Sequence, residues 1–235
     1  MDWSDLKARP PKGSVRVLLV AEVLGYLGLV LTYVWVALPA RDVVTWRHVA
    51  FFAFAVGLPL GANRLHGDRF RDGGVRLDNF AASARPVGVA TAIMLGGIVA
   101  TGLVAGGFHW VSVKRFAEIS TGYVTWGIAQ QYLLQSFALR RLLQAGMASW
   151  PAAVTAAAIF GAMHAPNWAL VAVTTGAGIV WCRLFLRWPN ILTLGLAHGL
   201  LAVVLFHAWP EAWMQNFTIG PVYVNRILRT LDIYR

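Results

Sequence analysis

Ala129-Gln130-Gln131-Tyr132-Leu133-Leu134-Gln135-Ser136-Phe137-Ala138-Leu139-Arg140 decides how this chain is read. The stretch is apolar enough to lie in a membrane, yet it carries three carboxamides. Polar side chains at bilayer depth are costly and face the interior of a helix bundle. Two further apolar stretches carry a histidine at depth, His164 and His198. Polar groups recurring in separate spans point to a site inside the membrane.

The composition fits that environment. Of 235 residues, 58% are hydrophobic and 13% are charged, about half the share found in soluble domains, and the mean hydropathy is +0.60. A single membrane domain over 1–235 is expected, without repeats or a separable second unit. Seventeen arginines and three lysines against ten acids give a net charge of +10. No extramembrane domain is long enough to carry nucleic-acid binding, so the positive charge is assigned to orientation and to anionic membrane lipids. The one cysteine, Cys182, excludes an internal disulfide and a cysteine metal site, and reads as a small core residue.

Seven spans are expected, at 15–38, 47–62, 86–108, 121–140, 151–165, 168–186 and 190–208. The fold class is therefore all-α, a polytopic membrane helix bundle. The tail 209–235, with Trp209, Trp213, Phe217 and scattered arginines, reads as an interfacial amphipathic segment. The apolar run after Lys7, Arg9, Lys12 and Arg16 is longer than a signal-peptide core, so it reads as a retained anchor. With the N-terminus cytoplasmic, thirteen basic residues fall inside and seven outside, which favours that orientation in the cell inner (plasma) membrane. The loop 63–85 is then an inner loop, and Asp68, Asp72 and Asp78 read as its solvated charges.

By helical rise, Gln130, His164 and His198 lie roughly 15, 20 and 12 Å from the inner ends of their spans. Gln131 and Gln135 share one helix face. One polar cavity open toward the cytoplasm would accommodate them all. The alternative is that the glutamines are interhelical hydrogen-bond glue and the histidines satisfied core residues. His48 and His109 fall at span ends, His66 in the inner loop, and His207 is out of phase with His198. Gly102 and Gly106 fit a close helix contact within the monomer.

The order of motifs resembles the CAAX protease and bacteriocin-processing (CPBP, or Abi) intramembrane proteases. Residues 129–140 resemble that family's Glu-Glu-x-x-x-Arg helix. Phe160-Gly-Ala-Met-His164 is similar to its Phe-x-x-x-His motif, and Asn190 to Ala202, around His198, to its His-x-x-x-Asn helix. Gly74-Val75-Arg76-Leu77 also has the family's look. The core likeness covers about 120–203. By that resemblance Gln130 stands where a Glu activates water, Gln131 at the second Glu, Gln135 at the Arg, and Ala202 at the Asn. His164 and His198 match directly, and Phe160 and Ala202 belong on the substrate side.

Four of six positions differ together. A carboxamide cannot accept a proton near neutral pH, and a general base contributes about 10²–10⁴-fold. A missing Asn donor removes about 10²–10³ more, by analogy with oxyanion-hole deletions. An arginine without its carboxylate would be an uncompensated buried charge, so the changes convert an ionised network into a neutral one. Glu22, the one carboxylate inside a span, is the remaining candidate site residue. A histidine could itself serve as base. His164 and His198 could hold zinc only with a third ligand, and no HExxH signature is present, so no cofactor is expected. The leading expectation is a divergent intramembrane protein acting on a hydrophobic peptide, lipid or isoprenoid substrate, with doubtful proteolysis. The alternatives are a non-catalytic adaptor or chaperone and, lacking repeated halves, a transporter.

Overall fold

The computed structural model describes residues 13–37 and 46–232, and every regular element among them is helical. Helix α1 spans Gly13–Thr32 and continues as a π-helix over Tyr33–Ala37; α2 is Trp46–Leu65 and α3 Phe80–Ala105. Helix α4 (Val113–Gln131) runs through a π-helix, Tyr132–Leu139, into α5, Arg140–Gln144. Then follow α6 (Ser149–Ala162), α7 (Trp168–Arg187), α8 (Ile191–Ala208), α9 (Glu211–Met214) and α10 (Gly220–Asp232). The basic stretch Lys7–Lys12, Arg41 and Arg235 lie outside the described residues, as do the side chains of Arg47 and His48.

Among the described residues, four helices are long and apolar enough to cross a membrane on their own: 13–36, α3, α7 and α8. Apolar helices at Val49–Leu65 and Ser149–Ala162 are shorter, as the sequence indicated. The expected span at 121–140 sits inside a much longer helical run, 113–144. The expected third span begins earlier, at Phe80, because Pro86 lies inside the helix rather than at its start.

Polar caps and close contacts set the architecture. Asn190 caps α8 by accepting from Thr193 N, and its Nδ2 donates to Arg76 O (2.9 Å), fastening the 66–79 loop to that helix end. Gly74 takes a φ of +86° in this loop, and a Cβ there would lie 2.5 Å from the Phe185 ring. Only glycine meets both demands. Helices α4 and α8 touch backbone to backbone: a Cβ on Gly195 would lie 2.6 Å from Ile128 Cα, and one on Gly199 2.5 Å from Val124 Cα. Small residues permit this approach, and it carries Gln131 to the side of His198. Gly102 packs on Ala208 within the monomer, as expected, whereas Gly106 caps α3 in the left-handed region. Cys182 is buried in the main apolar core.

The end of the bundle holding Gln144 and the 66–79 loop is closed by an ionic cluster that the sequence reading did not foresee. Asp68 was expected to be solvated. Its side chain is 8% exposed, and it accepts from Arg140 Nη2 (2.5 Å) and Arg141 Nη1 (3.0 Å). Arg141, fully buried, also donates to Glu22 Oε2 (2.8 Å) and Asn63 Oδ1 (2.8 Å). Buried charges must be paired, and Asp68 is the carboxylate within reach of both guanidinium groups. Asp78 does stay exposed, with Arg71 and Arg76.

Candidate functional site

Five helices bring the site together. The π-helical turn after Gln131 widens the α4 backbone, a distortion frequent at functional sites. Gln131 and Gln135, both fully buried, flank the start of this turn. Gln135 Nε2 donates to Gln131 Oε1 (3.1 Å), and Gln131 Nε2 lies 3.3 Å from His198 Nδ1. An amide nitrogen can only donate, so His198 Nδ1 accepts and its proton resides on Nε2. The imidazole stacks on Trp181 from α7 at 4.5 Å, with Phe160 edge-on at 5.9 Å.

His164 has the opposite tautomer. Its Nδ1 lies 2.9 Å from Phe160 O, a carbonyl that can only accept, so Nδ1 carries the proton. Thr174 agrees: its hydroxyl donates to Leu170 O (2.6 Å), leaving the oxygen to accept from His164 Nδ1 at 3.4 Å. His164 Nε2 is therefore a bare lone pair, and His198 Nε2 an N–H. Neither atom has a protein partner among the described residues.

Both histidines border one cavity of about 370 Å³, within the range of small-molecule sites. Gln130, Phe160, Thr174, Trp181 and Ala202 share its wall. From there it runs past Leu205, Tyr26 and Val34 to Tyr33, Phe51, Tyr123 and Phe217, a length of about 10 Å along α8 by helical rise. Its wall is hydrocarbon and aromatic ring apart from a few groups. Among the described residues none on it is charged.

Three expectations are corrected. The cavity is apolar rather than polar. It extends away from the end that the positive-inside reading makes cytoplasmic, because the ionic cluster and the 66–79 loop fill that end. Glu22 is not part of the site: it binds Arg141 and His66 (2.6 Å) in the ionic cluster and does not line the cavity. The remaining sequence candidates do converge. Gln130, Phe160, His164, His198 and Ala202 line the cavity, while Gln131 and Gln135 stand behind His198 without reaching it. Gln135 Oε1 is buried with no hydrogen-bond partner among the described residues. As anticipated, His207 faces elsewhere, among His109, Phe116 and Phe206.

Sequence reasoning missed Trp181, Thr174 and Tyr26. The one available signal was Thr174, a hydroxyl inside an apolar span. Among the described residues no three His, Cys, Asp or Glu side chains converge to hold a metal. Chemically, the arrangement offers one neutral N–H donor, one neutral base and a free carboxamide at an apolar wall.

Residues 115–204, from α4 to α8, match a family model described as type II CAAX prenyl endopeptidase Rce1-like. This match bears out the resemblance read from the three motifs. No curated protein and no solved structure matches the chain.

Proposed function

We infer that this CAAX-protease-like membrane protein receives a hydrophobic or lipid-linked substrate in its intramembrane cavity and acts on the substrate's polar end with His164 and His198. The observation that carries this reading is the pair of imidazoles, each with a free Nε2, at the wall of one apolar cavity. His198 N–H is placed to donate to a carbonyl or hydroxyl oxygen of the substrate. His164 Nε2 is the one neutral nitrogen base there, and general bases of this type contribute about 10²–10⁴-fold. The carboxylate route to peptide hydrolysis has no carboxylate to use: Gln130 occupies the wall, and Gln131 spends its amide on His198. The chain lies in the cell inner membrane with its N-terminus cytoplasmic, and the cavity then occupies the outer half.

A non-catalytic adaptor that holds the same substrate is the second reading, favoured by the uncharged wall. One experiment separates the two. Purified protein is mixed with a photoreactive prenylated peptide, and capture and cleavage are measured for wild type, His164→Ala and His198→Ala. Capture with turnover that both variants abolish supports the catalytic reading. Capture without turnover, retained in both variants, supports the adaptor. No capture by wild type refutes both.

A further inference from the structure

We propose that the cavity selects lipids whose head is uncharged and both donates and accepts a hydrogen bond, such as a long-chain alcohol or amide, and rejects anionic and cationic heads. This deepens the reading of the cavity as a lipid site and rests on it.

Few polar atoms are left free on the part of the wall that the histidines border. Tyr26 Oη donates to Ala55 O (2.9 Å) and Thr174 Oγ1 to Leu170 O, so both hydroxyl protons are used. What remains around Phe160 and Trp181 is His198 Nε2–H, the Trp181 indole N–H, His164 Nε2 and the Gln130 amide, none of which has a further hydrogen-bond partner among the described residues. Two groups donate, one accepts and one does both. A hydroxyl or amide has a match for each: its oxygen can accept from His198 and its proton can go to His164.

A sulfate, phosphate or carboxylate presents acceptors only. It would leave His164 Nε2 facing a lone pair and would bring a charge to a wall with no counter-ion. Arg140 and Arg141 are paired with Asp68 and Glu22 at the other end of the bundle, and Arg115, on the first turn of α4, pairs with Glu118. A quaternary ammonium meets the same wall without an anion and satisfies neither histidine. Burial of an unpaired charge costs enough that either ion should bind at least about a hundredfold more weakly than the neutral head.

The test uses the full chain in zwitterionic detergent micelles. Four probes share one C16 chain: hexadecane, hexadecan-1-ol, hexadecyl sulfate and hexadecyltrimethylammonium. Affinities are compared as mole fractions in the micelle. The expected order is the alcohol first, with both ions at least about a hundredfold weaker. His198→Leu should reduce alcohol affinity about tenfold and leave hexadecane unchanged. Gln130→Leu, on the cavity wall and outside the Gln135–Gln131–His198 chain, gives the same comparison should His198→Leu unfold. An ion binding as well as the alcohol overturns the proposal, as does an alcohol affinity unmoved by both variants. If hexadecane binds while head selectivity is absent, only this inference fails. If neither hexadecane nor the alcohol binds, the cavity reading beneath it fails as well.

Discussion

Gly195→Ala tests how the site is assembled. A methyl group at residue 195 would lie 2.6 Å from Ile128 Cα, where ordinary contact begins near 3.4 Å. The obstacle is backbone, so no rotamer change relieves it, and α8 must move from α4 by about 0.8 Å, the difference between those distances. The Gln131–His198 contact, already 3.3 Å, would then exceed hydrogen-bonding range. Overpacking costs about 1–3 kcal/mol and the lost hydrogen bond about 1 kcal/mol, giving roughly 2–4 kcal/mol together. Thermal unfolding in detergent reads the stability loss. Nitrogen-15 NMR of His198 reads the tautomer, which should change from Nε2-protonated to a mixture. A variant with wild-type stability and an unchanged His198 spectrum would refute the claim that this glycine contact seats the imidazole.

Asp68→Asn removes the carboxylate that Arg140 and Arg141 share, leaving Arg141 its pair with Glu22, and should destabilise by about 3–5 kcal/mol in chemical unfolding. Gln131→Glu places an unpaired charge behind His198 and should lower the melting temperature. Adding Gln135→Arg supplies the missing cation, and a double-mutant cycle should return a favourable coupling of about 1–3 kcal/mol. Asp78 should titrate at about 2, chiefly through its hydrogen bonds from Arg76. Its contribution is complete above the ordinary carboxylate range and is lost as pH falls through about 2; Arg76→Ala should return the midpoint, followed by carbon-13 NMR, to the ordinary range.

Helical periodicity and polar spacing made much of this arrangement legible. The apolar runs became helices in the expected order. Gln130, His164 and His198 met because antiparallel helices bring similar depths together, and Gln131 and Gln135 bonded because four residues return a helix to the same face. What escaped was governed by partners distant in sequence. Asp68 sits in a stretch of Arg, Asp and Gly that looks solvated, and only the burial of Arg140 and Arg141 dictates otherwise. Glu22 reads as a site candidate because nothing local announces a guanidinium 119 residues away. The direction of the cavity depends on which end of the bundle is plugged, and hydropathy is blind to that.

The ionic cluster gives the first two helices one anchored end and one greasy end. Glu22 on α1 and Asn63 on α2 are both held by Arg141, while at the opposite end these helices meet the cavity through side chains such as Val30, Val34, Phe51 and Phe52. Tyr26 and Ala55 tie the two helices to each other, so they form a unit. Among the described residues no ion pair joins that unit to the rest at its greasy end. The two helices are thus tethered by charge at one end and held by hydrocarbon and aromatic contact at the other, beside the cavity that the histidines border.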